Sequence, residues 1–312
     1  MRCLVTGASG HLGSYLTRRL LETGHAVTVV VRPQSELWRL ADVLDDITVI
    51  RGELEDIDRA EAELIAAAPE VVFHLAWYGV TSRFKNELRQ IESNLLGSVR
   101  LLQIAQRAGC TCWVGLGSQA EYGVQSGITG EDLPLRPKTL YGATKLSVGF
   151  LTRQLCDLAG TRYVWLRLLS AYGPKDDPDH LIPLVIMKLL AGEKPALTLG
   201  EQWWDYLYVE DVIEAACQAA QQSHVQGVYN LSSGQAHTVR DIVTRVRDMI
   251  DADLPLGFGE IPYGPGQIMR LQGEGTNSAF CRATGWIPKV GLDEGLRHTV
   301  DWYRTNRQRY GL

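Results

Sequence analysis

The chain opens on its most constraining feature. Thr6-Gly7-Ala8-Ser9-Gly10-His11-Leu12-Gly13 follows the β-branched run Cys3 to Thr6 and leads into an amphipathic stretch from Leu12 to Glu22. Glycines three residues apart between a strand and a helix meet three mechanical needs. One turns the chain tightly, one lets backbone N–H groups approach a pyrophosphate, and one lets the helix pack on the strand. An anion held there sits at a helix N-terminus, where unpaired amides and the dipole favour it. Gly7, Ser9, Gly10, His11, Leu12 and Gly13 are therefore candidate dinucleotide contacts. The plainer alternative is a tight turn that binds nothing.

The next 150 residues repeat this strand-then-helix rhythm. Strands are predicted at Cys3 to Thr6, Ala26 to Val31, Ile47 to Arg51, Val71 to Leu75, Cys112 to Leu116 and Tyr163 to Leu168. Helices are predicted at Leu12 to Glu22, Glu36 to Leu44, Arg59 to Ala67, Glu87 to Ala108 and Tyr141 to Ala159. Such alternation builds an α/β, doubly wound parallel (Rossmann) sheet. After Pro174 prolines and glycines cluster at 174–183, 192–200 and 255–265, and the rhythm loosens around helices at Glu210 to Gln222, Val239 to Ile250 and Asp293 to Arg304. The expectation is a dinucleotide-binding domain over 1–174 and a smaller α/β substrate-binding domain over 175–312, with strand or helix exchange between them.

Composition narrows the partners. Lys and Arg number 31 against 36 Asp and Glu, a net charge of −5 that offers no general attraction for nucleic acid or an anionic membrane. The longest apolar run, Leu181 to Ala191, contains Pro183 and Lys188 and is too short to span a bilayer. The N-terminus lacks the charged and apolar regions of a signal peptide, so a cytoplasmic setting is expected. Six cysteines, Cys3, Cys110, Cys112, Cys156, Cys217 and Cys281, have neither zinc spacing nor a disulfide framework and read as buried thiols; no metal is expected.

The end of the second strand bears on the cofactor. A free ribose 2′-hydroxyl is usually met by a carboxylate there, whereas a 2′-phosphate wants a cation. The strand ends Val29-Val30-Val31-Arg32, which favours NADP(H) through Arg32 and leaves NAD(H) possible. Glu53, followed by Leu54, stands just after the third strand, where it can meet the adenine edge.

Tyr141-Gly142-Ala143-Thr144-Lys145 places a phenol and an ammonium one helical turn apart on one face. Lowering a tyrosine pKa from about 10 to neutrality corresponds to about 4 kcal/mol, which a close, partly dry lysine and a nicotinamide's charge can supply together. Taken alone, Tyr-x-x-x-Lys is common in helices. Here Ser118, in Gly115-Leu116-Gly117-Ser118-Gln119-Ala120-Glu121-Tyr122-Gly123, lies at the end of a strand, and Asn94 lies on the preceding helix.

With the glycine-rich opening, Phe73-His74-Leu75-Ala76, Tyr172-Gly173-Pro174, Asp205-Tyr206-Leu207-Tyr208-Val209-Glu210-Asp211-Val212 and Thr284-Gly285-Trp286-Ile287-Pro288, the chain resembles the extended short-chain dehydrogenase/reductases. More narrowly, it resembles their nucleotide-sugar epimerase, dehydratase and ketoreductase branch. The resemblance implies Tyr141 as general acid/base, Ser118 as hydrogen-bond partner of the sugar oxygen, and Lys145 as holder of the nicotinamide ribose. It implies Asn94 in the proton-relay region and Leu75 and Ala76 along the cofactor. It also implies a homodimer through the two long helices, which carry Leu95, Val99, Leu102, Leu146, Phe150 and Leu151 at helical spacing.

Departures from the branch shape the expected reaction. The dehydratases it resembles carry Asp-Glu after the active-site hydroxyl; this chain has Gln119 and Ala120, with Glu121 displaced by one residue and aimed elsewhere. Ser170 replaces the usual asparagine before Tyr-Gly-Pro, and Trp204 replaces an arginine that meets the diphosphate, leaving Arg270 as the basic candidate. Ser118, Gln119, Ser170, Trp204 and Arg270 form the expected substrate side. The leading expectation is an NADPH-dependent ketoreductase of a 4-keto nucleotide sugar. A nucleotide-sugar epimerase, a reductase of a small non-nucleotide carbonyl, and a cofactor sensor without turnover are the alternatives.

Overall fold

Short apolar strands that alternate with amphipathic helices bury both faces only when each strand crosses over to a parallel neighbour. The computed structural model, which describes residues 1–124, 127–264 and 266–310, shows that solution. β1 (Arg2–Thr6) pairs with β2 (Ala26–Val31) on one side and β4 (Val71–His74) on the other. β3 (Ile47–Arg51) extends the β2 edge, and β5 (Cys112–Ser118) pairs with β4. The strands Arg162–Leu168 and Gly227–Leu231 complete a seven-stranded, all-parallel Rossmann-like sheet. The strand order reverses between β1 and β4, so a crevice opens at the C-terminal ends of those two strands, where such sheets bind ligands.

One face of the sheet packs on α1 (His11–Glu22) through Leu16 and Leu20. The other packs on α2 (Glu61–Ala67), α3 (Leu96–Arg107) and α4 (Leu140–Ala159), through Leu64, Leu101 and Val148. Later in the chain α5 (Leu181–Leu190) precedes α6 (Val209–Gln221), which returns to lie beside α1 on the first face. α7 (Val239–Ile250), the short α8 (Ala279–Thr284) and α9 (Leu292–Thr305) follow, and a separate core forms among α5, α7 and α9 around Val185, Val243 and Val300. Pro183 is the third residue of α5, where the backbone N–H has no intrahelical partner to lose. All six cysteines are buried and free, and among the described residues no helix is long and apolar enough to cross a membrane.

Three expected helices differ. Glu36 to Leu44 forms two isolated 3₁₀ turns, Trp38–Leu40 and Leu44–Asp46, because Arg51 pins the backbone leading into it and Arg18 takes one of its own carbonyls, that of Arg39. Arg51 donates to the carbonyls of Arg32, Pro33 and Ser35, and Arg18 donates to that of Arg39. Arg59 to Ala67 begins as a kinked 3₁₀ segment before becoming α2. Glu87 to Ala108 begins with a π-helical turn, Gln90–Leu95, ahead of α3; such turns are rare and concentrate at functional sites. Pro265, at the end of the third proline and glycine cluster, lies outside the described residues.

A second, four-stranded sheet orders Ala236–Thr238, Trp203–Asp205, Arg270–Gly273 and Ile128–Thr129. Buried Asp205 ties it to the end of the large sheet by accepting the N–H groups of Ser233, Gly234 and Gly273 at 2.8, 2.9 and 3.1 Å.

Candidate active site

The glycine-rich turn is held by backbone contact. Gly7 has φ +73°, and a Cβ on it would lie 2.7 Å from the Ala76 nitrogen, so β1 and the end of β4 touch across the crevice. A Cβ on Gly13 would lie 2.2 Å from Gly7 O, inside the contact between α1 and the turn. Gly10 differs: its Cβ would meet only Gly7 O, at 3.2 Å. Gly10 is also the N-cap of α1, and no side chain caps that end. Room for a close backbone approach together with an uncapped helix start fits the pyrophosphate of a dinucleotide. Leu12 and Leu75 line a small apolar pocket behind the turn.

Around this cradle the expected contacts are placed as follows. Ser9 presents its carbonyl to Arg39 Nη1 at 3.4 Å. His11 Nδ1 lies 3.1 Å from buried Asp176, and its Nε2 is buried without a partner among the described residues. Ala76 N–H donates to Thr6 Oγ1 at 3.1 Å. Arg32 is exposed just beyond β2 and pairs with no carboxylate among the described residues, while Arg51 pins the backbone on either side of it. Glu53 accepts Gln34 Nε2 at 2.8 Å, and Leu54 packs against Gly97 of α3.

The second cluster lies where β5 ends and α4 begins. Thr139 caps α4 by accepting Gly142 N–H at 3.1 Å. A Cβ on Gly142 would fall 2.4 Å from Ala120 O, so the start of the helix lies directly on the turn after Ser118. Tyr141 and Lys145 are buried on one face of α4, beside the turn that carries Ser118, whose hydroxyl accepts Ala120 N–H at 3.2 Å. The Lys145 ammonium donates to Leu116 O at 2.7 Å and lies 3.6 Å from the centre of the Trp77 ring.

Burial dominates the protonation of both groups. It pushes Tyr141 up to about 12 against the lowering effect of Ser118, and it pulls Lys145 down to about 7 against the raising effect of Glu121. The lowering expected of Lys145 acts together with a nicotinamide's positive charge; in the chain alone, burial sets the direction. Desolvation acts on the phenol first, and the ammonium is turned toward Leu116 O and Trp77.

Asn94 is fully buried in the π-helical turn, and its amide is spent on structure. Its Oδ1 accepts Tyr78 N–H at 2.7 Å, and its Nδ2 donates to Tyr78 O at 3.1 Å and Gln90 Oε1 at 2.9 Å. It clamps the loop after β4, and among the described residues it has no hydrogen bond to Tyr141.

Beneath Ser118 lies a buried network that sequence reading did not anticipate. Glu121 points into the core: its carboxylate accepts Ser118 N–H at 2.9 Å, Trp165 Nε1 at 3.0 Å and Arg167 Nε at 2.6 Å. Arg167 continues to the Tyr122 hydroxyl at 3.0 Å, and that hydroxyl donates to Asn230 Oδ1 at 2.8 Å. The displaced Glu121 is thus aimed away from the Tyr141 side. Arg167 and Asn230 carried no motif that could have flagged them.

On the substrate side the structure brings two of the expected residues together. Gln119 and Arg270 line one narrow cleft, and Gln119 Oε1 is buried without a partner among the described residues. Ser170 and Trp204 are not among the residues that line this cleft, although Trp204 pairs with Leu271, which does. Ser170 O accepts Leu207 N–H at 2.9 Å, and Trp204 pairs with His237 and packs on the core among α5, α7 and α9.

Residues 3–232 match the model of the NAD dependent epimerase/dehydratase family. A UDP-glucose 4-epimerase from Mycolicibacterium smegmatis is 28% identical over 99% of this chain and 100% of its own. A dTDP-glucose 4,6-dehydratase from Streptomyces griseus is 29% identical over 97% of this chain and 94% of its own. Among solved structures, a UDP-glucose 4-epimerase from Thermus thermophilus in complex with NAD superposes with a TM-score of 0.88 at 29% identity, covering 97% of this chain and 99% of that one.

Proposed function

Since the chain belongs to the NAD dependent epimerase/dehydratase family, we propose that it is an NADPH-dependent ketoreductase of a 4-keto nucleotide-diphosphate sugar. The observation that carries this reading is the end of β2, where Val31 and exposed Arg32 occupy the place of the carboxylate that receives a 2′-hydroxyl. A nicotinamide cofactor supplies the hydride when bound. Everything else falls to the chain. Gly7, Gly10 and Gly13 shape the turn for the pyrophosphate, with Ser9, His11 and Leu12 beside it, and Leu54, Leu75 and Ala76 line the remaining wall. Lys145 holds the nicotinamide ribose.

Tyr141 keeps its proton at neutral pH, the state an acid needs to protonate the oxygen of a carbonyl as it is reduced. Ser118 donates to the same oxygen. Asn94 acts as a positioning residue through the loop that it clamps. Gln119 and Arg270 face the substrate, with Arg270 answering the diphosphate. Dehydration is disfavoured, because Gln119 and Ala120 bring no carboxyl group and Glu121 is committed to Arg167.

A second reading, 4-epimerisation with retained NAD(H), is favoured by the likeness to UDP-glucose 4-epimerases. The proposal includes a homodimer through α3 and α4. Leu102 serves the protein's own core, but Phe150 and Leu151 are 55% and 44% exposed, as a partner surface requires.

The test is cofactor binding together with turnover on 4-keto nucleotide sugars. The purified protein should bind NADPH at least tenfold more tightly than NADH. Charge-assisted hydrogen bonds contribute about 1.5 to 3 kcal/mol, so Arg32→Ala should weaken NADPH by about ten- to a hundredfold and leave NADH nearly unchanged. NAD that co-purifies tightly, with epimer formation from UDP-sugars, would shift the assignment to the second reading.

A further inference from the structure

Lys145 is a buried cation with an unusual neighbour. Among the described residues no carboxylate reaches it as an ion pair; its close contacts are one carbonyl and the face of Trp77. The same indole meets the Tyr141 ring edge-on at 6.0 Å and 80°. The indole is fixed from behind, since Trp77 Nε1 donates to Gln90 Oε1 at 2.9 Å. Gln90 is fully buried and donates in turn to Gly79 O at 2.7 Å and Phe84 O at 3.2 Å. Asn94, four residues on in the same π-helical turn, shares the Gln90 oxygen and holds both backbone polar groups of Tyr78. Gly79 leaves the loop no slack, because a Cβ there would lie 2.6 Å from the Phe84 Cβ.

We propose that Trp77 is a positioning residue for Lys145: its ring face stabilises the ammonium in a dry site, and the Gln90–Asn94 pair holds the ring there. The proposal rests on the reading of Lys145 as the residue that holds the nicotinamide ribose. An aromatic face carries partial negative charge, and its attraction for a cation is strongest where water is excluded. Burial brings Lys145 down to about 7, so near neutral pH a modest change in its surroundings alters how much of it is charged. The other groups around it are Glu121, which favours its charge; His74, neutral because burial and Lys145 itself bring it down to about 3; Tyr141; and Lys85, whose Nζ lies 5.7 Å from the Tyr141 ring. Loss of the ring face removes stabilisation from the charged form only, so the lysine should give up its proton at lower pH.

The experiment follows the Lys145 methylene next to nitrogen by NMR in protein carrying ¹³C-labelled lysine, with Lys145→Arg identifying the resonance. In the parent this signal should be displaced upfield by the indole and should titrate near neutral pH. In Trp77→Leu the displacement should vanish and the midpoint should fall by about one pH unit. Calorimetry should show NADPH binding about three- to tenfold weaker than the parent at pH 7.5 and within about twofold of it at pH 6. Trp77→Phe, which keeps a ring but not the bond to Gln90, should lie between the two, and it decides the matter if Trp77→Leu does not fold. An unmoved midpoint in both variants overturns the proposal. Separately, Lys145→Ala binding NADPH with the parent's affinity would remove the cofactor role of Lys145 while the NMR midpoint still reports on its coupling to Trp77.

Discussion

The glycine-rich turn and the Ser118–Tyr141–Lys145 corner sit at the ends of strands in one sheet, yet they are built by different physics. The turn is made of backbone against backbone: Gly7 against Ala76 and Gly13 against Gly7, without a charged group in the contact. The corner is made of buried polar groups, each satisfied by a residue from a distant part of the chain. Tyr122 meets Asn230, Glu121 meets Arg167, and Lys145 meets Leu116 and Trp77. A site held by sterics fails when a methyl group is added. A site held by satisfied polar groups fails when one partner is removed, because the other is left in a dry interior.

The chemical step is the severest way to probe this contrast. Tyr141→Phe keeps the ring packing and removes the proton donor, so turnover should fall by about 10²- to 10⁴-fold with NADPH affinity almost unchanged. Steady-state rates and calorimetry on the same preparation check both halves. A variant that turns over at the parent rate would remove Tyr141 from the reaction.

Next comes the network below Ser118. Glu121→Gln leaves the Arg167 guanidinium buried without its carboxylate, which should cost about 3 to 5 kcal/mol in chemical denaturation. Adding Arg167→Met should recover most of that loss, since a buried pair replaced as a unit is close to neutral. If the single and double variants are equally destabilised, the network does not act as a unit and the contrast with the turn weakens.

The turn itself gives the smallest effects, and they should separate in kind. Gly13→Ala forces a Cβ to within 2.2 Å of Gly7 O and should lower stability by about 1 to 3 kcal/mol, as overpacking does. Gly10→Ala makes one tight contact, 3.2 Å to Gly7 O, that a shift of a few tenths of an ångström relieves, so its melting temperature should fall far less than that of Gly13→Ala while cofactor affinity drops by about tenfold or more. Thermal melts with and without NADPH read both outcomes. Normal binding by Gly10→Ala would mean that Gly10 is not where a pyrophosphate approaches.

Sequence reading went furthest where a physical requirement is local. Glycine spacing between a strand and a helix located the turn, and period-two and helical patterns located most strands and helices, because both depend on residues within one or two turns of chain. It failed at residues 36–44, where the apolar spacing suited a helix but Arg51 pins the backbone just before the segment and Arg18 takes the Arg39 carbonyl within it. The opening of the Glu87 to Ala108 helix was hidden for a similar reason: a π-helical turn around Gln90 and Asn94 has no local signature, being stabilised by the loop that it clamps.

By itself, then, the sequence determined the parallel sheet, the turn at its first crossover, and the one-turn spacing of Tyr141 and Lys145, because backbone sterics and helical periodicity are written in neighbouring residues. Only the tertiary structure decided what surrounds those groups. It aimed Glu121 into the core onto Arg167, placed Gln119 and Arg270 in one cleft, packed Trp204 on the core among α5, α7 and α9, and laid Trp77 over Lys145. Desolvation and polar satisfaction depend on every atom within a few ångströms, and here those atoms come from distant segments, Tyr122 and Asn230 being 108 residues apart.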